Sequence, residues 1–204
     1  MEEIGRGRHA MLQLAHPVFE WNLLVASQSS STELVSDLRD CIYDASTFLY
    51  HVTDGQMKLG MVAISNNVAT NSALWRSADV RIFDNNFQWP EAAAGGINEG
   101  RDWNVNMPRE WRWTDESGNR ITTHPTEMVY VRCLVHELGH YVFGLKDEYE
   151  DGLSCRGARF TPRRNANPNL YPPDYGLMDN DRAPPYRFSS HRDYHISYPT
   201  NIAA

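Results

Sequence analysis

His136 and His140 stand four residues apart in "HELGHYVFGLKDEY", with Glu137 directly after the first, in a stretch that is apolar at helical spacing. Residues four apart are neighbours on one face of an α-helix, so a helix here brings two imidazoles within about 2.0–2.1 Å of one ion. Glu137 lies about 100° further round, close enough to reach a water at that ion but badly placed to be a third ligand. Its position suits a general base. The pattern therefore demands a helix, expected from about Thr126 to Phe143. Val131, Val135, Leu138 and Val142 form its core stripe, and Val129, Cys133, His136 and His140 lie on the adjacent one.

Two histidines do not complete a zinc site, so the rest of the chain must return to them. No glutamate occurs after Glu150, which excludes a third ligand from a distant downstream glutamate. The nearby acids are Asp147, Glu148, Glu150 and Asp151, all just beyond Gly144, a residue able to adopt the left-handed conformation that ends a helix and reverses the chain. A reversal there brings Asp147 under the histidines, leaving a fourth position open for water. Glu148 is the rival ligand, or else an acceptor that orients a histidine N–H. Tyr149 is read as a packing aromatic before a catalytic donor.

Upstream, the order is strand, helix, strand, strand. "VFEWNLLVAS" from Val18, "MKLGMVAISNN" from Met57 and "ADVRIFD" from Ala78 are the apolar or β-branched runs. Between the first two lies a long helix whose face is Leu34, Leu38, Cys41, Ala45, Phe48 and Val52, with Ser30 and Glu33 at capping-box spacing and Gly55 beyond its end. One crossover helix between strands implies parallel pairing. "FQWPEAAAGG" is confined to a sheet edge by its proline and glycines, "WNVNMP" is a fifth strand candidate, and "WRWTDESGNRITT" is a hairpin. The expected architecture is α/β. It has a twisted, mostly parallel sheet of four or five strands, a backing helix and the histidine-bearing helix, followed by a loop-rich part. Residues 1–204 form one domain, divided at 144 and 145 into these two parts.

Composition removes several alternatives. A formal net charge of −7 offers no excess of Lys and Arg to displace counterions, so nucleic acid is not an expected partner. No apolar run approaches the ~18 residues of a membrane span, and "MEEIGRGRHAMLQLAHP" is too acidic and too briefly apolar for a signal peptide. Membrane insertion is not expected, and there is room for further domains in a longer chain. Cys41, Cys133 and Cys155 are odd in number and lack CxxC spacing; they read as thiols, with a Cys41–Cys133 bridge as the alternative. His191 and His195 read as a solvated pair, the acids of "DNDR" and "DEYEDG" as solvated loops rather than calcium ligands, and Cys155 as a loop residue rather than a zinc-blocking thiolate.

The sequence HExxH, a nearby glycine turn and then an acid resembles the metzincin clan of zinc peptidases. Phe143 stands where the clan's usual glycine falls, Gly144 comes one residue late, and Lys146 occupies the usual third-ligand position. The version here, HExxHxxxGLxDEY, resembles the variant in the calcium-activated chloride channel regulator family and the IgA-peptidase-like bacterial family. That resemblance implies Asp147 as the ligand and one catalytic Zn2+. It also implies a methionine-containing turn under the metal, matched by Met178 in "YGLMDN", 38 residues after His140. The tyrosine that some relatives carry two residues after that methionine is replaced by Asn180. Further implications are an extended peptide or protein substrate along an edge strand within Phe87 to Gly96, and a secreted or cell-surface setting.

The expected function is a zinc endopeptidase with Glu137 as general base. The alternative is a zinc-stabilised processing or binding module of a larger protein, self-cleaving or inactive. A helix with no metal at all is the third reading.

Overall fold

The structure is a computed structural model of the 204-residue chain. It describes residues 17–53, 55–95, 97, 104–114, 118–145 and 178. The elements are β1 (Phe19–Ser27), α1 (Thr32–Val52), β2 (Met57–Ser65), α2 (Ala73–Ser77), β3 (Val80–Phe83), β4 (Val105–Pro108), β5 (Trp111–Thr114), β6 (Arg120–Thr123) and α3 (Met128–Phe143).

Four strands form one parallel sheet in the order β2-β1-β3-β4, and β5 and β6 form a separate antiparallel hairpin. This is a mixed α/β fold, as the alternation of apolar runs and a crossover helix requires. The "WNVNMP" segment supplies β4, the fourth strand of this sheet. The proline-containing segment behaves as an edge: Glu91 alone pairs with Asn106, antiparallel, through hydrogen bonds of 3.0 and 2.8 Å. Pro90 beside it cannot donate to a ladder, which keeps the pairing short. Among the described residues no helix is long and apolar enough to cross a membrane.

β1 distributes its side chains to two cores with period two. Trp21, Leu23 and Val25 face α1 and α3, where Leu38, Leu134 and Leu138 meet them, while Leu24 and Ala26 face a smaller cluster of Val68, Trp75 and Ala78. The two helices thus lie on one face of the sheet and contact each other. Every residue of α3 from Cys133 to Tyr141 is buried. Cys41 and Cys133 are buried thiols rather than a bridge, and burial pushes Cys41 up to about 12, which keeps it protonated and unreactive.

Several local expectations need correction. The N-cap of α1 is Ser31, whose hydroxyl accepts the Leu34 N–H at 3.1 Å, in place of Ser30. Leu49, rather than Phe48, is fully buried, because a helix that meets both β2 and α3 buries a face wider than one narrow stripe. α3 begins at Met128, and Val142 on its last turn is only half-buried. α2 carried no apolar periodicity to announce it. It is held by Ser72 at its start and by the buried Arg81, which donates to the carbonyls of Trp75 (2.9 Å) and Arg76 (3.1 Å) at its end.

The β1–β2 register shifts between Trp21 and Leu23, and the side chain of Asn22 fills the irregularity by accepting the Met61 N–H at 2.8 Å. This leaves no room at Gly60, where an added Cβ would lie 2.8 Å from Asn22 Oδ1. Gly60→Ala is therefore expected to cost about 1–3 kcal/mol, seen as a lower urea midpoint at unchanged slope. An unchanged midpoint would show that Asn22 can swing away without loss.

Candidate metal centre

α3 positions His136, Glu137 and His140 in a buried row, at 3%, 6% and 9% exposure. Burying three such polar groups in an otherwise apolar helix is costly unless their electrostatics are met by partners or a metal. The two imidazole centroids are 4.9 Å apart with planes at 89°, edge towards face. The four-residue spacing thus produces the paired rings expected of it.

The end of α3 sets the chemistry of His140. Gly144 adopts the left-handed conformation (φ 65°, ψ 23°), its N–H returns to the His140 carbonyl at 3.0 Å, and the chain turns back. That turn delivers the carbonyl of Leu145 to His140 Nδ1 at 2.7 Å. A carbonyl only accepts, so Nδ1 carries the proton and the lone pair resides on Nε2. This is the tautomer and orientation in which a histidine ligates zinc through Nε2. On these grounds the residues present fit such an ion: two imidazoles on one face, one with its distal nitrogen fixed as an acceptor, and a carboxylate beside them.

Among the described residues no group of three or more His, Cys, Asp or Glu side chains is placed to hold a metal together. Asp147 and Glu148, the two candidates for completing the set, lie outside the described residues, as do Tyr149, Cys155, Asn180, His191 and His195. Met178 is described: it is 1% exposed and belongs to the same core as Leu134, Leu138 and Tyr141. Its burial suits a packing role in that core.

The edge segment is tied directly to this centre. Gly95, in a positive-φ conformation (82°), donates its N–H to the His140 carbonyl at 2.7 Å, and a Cβ on Gly144 would lie 3.6 Å from the Gly95 nitrogen. His140 thus accepts from both glycines, and the segment from Phe87 to Gly95 ends against the helix that carries the histidines. At the other end of the segment Phe87 is 88% exposed, and Trp89 packs edge-on against Trp111 at 5.7 Å.

Sequence reasoning found the histidines, the glutamate and the glycine stop. It missed the Leu145 carbonyl and the Gly95 tie, both backbone groups that carry no side-chain signal. The fold and the site together define an α/β chain with a mostly parallel four-stranded sheet and a buried His-Glu-His helix whose end is bonded to an edge segment. No family model matches the chain, and no curated protein matches it. Among solved structures, that of myroilysin is similar over 74% of this chain and 52% of that one, at 15% identity and a TM-score of 0.35. The chain spans about half the length of that structure, and a likeness this distant carries no functional argument.

Proposed function

We propose that the chain is a zinc-dependent endopeptidase domain of the metzincin type. The observation that carries this reading is the buried His136, Glu137 and His140 row, with His140 fixed by Leu145 so that Nε2 is an acceptor. His136 and His140 would hold the ion, with Asp147 as third ligand and Met178 packed below. When bound, zinc supplies a Lewis acid that polarises a substrate carbonyl and makes water a competent nucleophile near neutral pH. Glu137 takes the proton from the attacking water and passes it to the leaving amine. The edge segment ending at Gly95 receives the peptide in extended form, by strand addition beside Glu91. Retaining a buried glutamate next to two histidines has no purpose in a purely structural zinc site.

The test is elemental analysis of the purified chain together with cleavage of an unstructured protein such as casein, before and after chelation. One zinc per chain, with cleavage lost on chelation and restored by zinc, is the expected result. Stoichiometric zinc without cleavage would move the reading to a processing or binding module, and zinc at trace level would remove it.

A further inference from the structure

α3 is fastened to the sheet at both ends by tyrosine hydroxyls. Tyr130 O–H donates to the Pro108 carbonyl at 2.6 Å, and Tyr141 O–H donates to Asp79 Oδ1 at 2.8 Å. The two tyrosines are eleven residues apart, three turns plus about 20°, so they lie on one face of the helix and act like two bolts along one line. The second bolt is anchored in an unusually well-held residue. Asp79 Oδ2 accepts the Leu24 N–H, its own N–H donates to the Leu24 carbonyl, and its carbonyl accepts the Val105 N–H, each at 2.8 Å. One residue therefore joins β1, the approach to β3, β4 and the helix: its carboxylate ties Leu24 to Tyr141, immediately after His140, and its backbone carbonyl reaches Val105.

We propose that Tyr141 and Asp79 are positioning residues for the metal centre: their hydrogen bond fixes the rotation of the last turn of α3 about its own axis and so the aim of His140. The inference rests on the reading that His136 and His140 bind zinc. The magnitudes favour it over simple stabilisation. A side chain at the helix surface lies about 5–6 Å from the axis, so a rotation of about 10° displaces it by about 1 Å. Metal–ligand distances tolerate only about 0.2 Å. Apolar packing alone permits small rotations of that kind, whereas a hydroxyl bonded to a carboxylate that is itself held by β1 does not. The Leu145 carbonyl orients the His140 ring about its own bonds, and the Tyr141–Asp79 pair orients the backbone from which that ring projects.

The test compares Tyr141→Phe with Tyr130→Phe in the full chain. Each loses one hydroxyl from the same helix face, but Tyr130 lies six residues before His136, about 9 Å along the axis. Zinc affinity is measured by chelator competition, and the visible band of the cobalt-substituted protein reports ligand geometry. Tyr141→Phe is expected to weaken zinc about tenfold, the low end of the range for groups that orient a ligand, and to shift the cobalt band. Tyr130→Phe is expected to lower thermal stability while leaving zinc affinity and the cobalt band as in the wild type. Equal weakening in both variants, or none in either, overturns the proposal. Should the wild type bind no zinc, the peptidase reading fails separately. The positioning claim is then read from the His140 Nδ1–H resonance of the metal-free protein, which must move in Tyr141→Phe and stay in Tyr130→Phe. If Tyr141→Phe does not fold, Asp79→Ala, which removes the oxygen that accepts from Tyr141, is measured the same way. An unchanged zinc affinity there counts against the proposal.

Discussion

Glu137→Ala is expected to lower peptide hydrolysis by about a thousandfold, within the range usually assigned to a general acid–base, while leaving one zinc per chain. Glu137 is on α3 beside both histidines yet about 100° round from His136, so removing it takes away a proton acceptor while both imidazoles stay on the helix. The two readouts must be taken on the same preparation: zinc by elemental analysis, and rate with casein or a quenched peptide. An unchanged rate removes Glu137 as the base. Lost zinc together with lost rate would instead show that the carboxylate helps to hold the site together.

The second large effect concerns the proposed third ligand. Asp147→Ala is expected to weaken zinc by more than about a hundredfold, beyond the 10- to 100-fold typical of groups that only orient a ligand. Glu148→Ala should fall within that lesser range. The left-handed conformation of Gly144 turns the chain back against the helix end and brings Leu145 to His140. Asp147 follows two residues after Leu145. Chelator competition on the two variants decides between them. If Glu148→Ala proves the damaging change and Asp147→Ala the mild one, the ligand assignment reverses while the catalytic role of Glu137 stands.

What could be read from the sequence depended on whether an element was determined by its own residues. α3 declares itself through apolar periodicity and a glycine stop, and the parallel sheet through β-branched runs joined by one amphipathic helix, because these follow from burial on one face. α2 gives no such signal, since it depends on Arg81 reaching back from a later strand to its carbonyls. Asp79 reads in isolation as an ordinary acid before a strand. Its importance arises only when folding brings Leu24, Val105 and Tyr141 round it. The tyrosine pair went unread, for although an interval of eleven places both on one face of a helix, their partners Pro108 and Asp79 are supplied by the folded sheet. Of the site itself, the histidine pair and its neighbouring glutamate follow from spacing. The protonated nitrogen of His140 follows from a backbone carbonyl that spacing does not reveal.

The topology of the sheet also governs how the chain arrives at this state. Its ladders join residues far apart in sequence: Phe19 with Met57 at 38 residues, Val25 with Val80 at 55, and Val80 with Val105 at 25. Among the described residues, the β5–β6 hairpin is the one local pairing. Long loops must close before such contacts stabilise anything, which places a chain of this kind on the slow side of domain folding. α1, α3 and the hairpin can form early from local interactions, but the surroundings of His140 depend on β1, β3 and β4 having met round Asp79. Nascent chains would therefore carry both histidines on a helix well before they could orient them, and the setting of His140 would mature with the last ladder rather than with its own element.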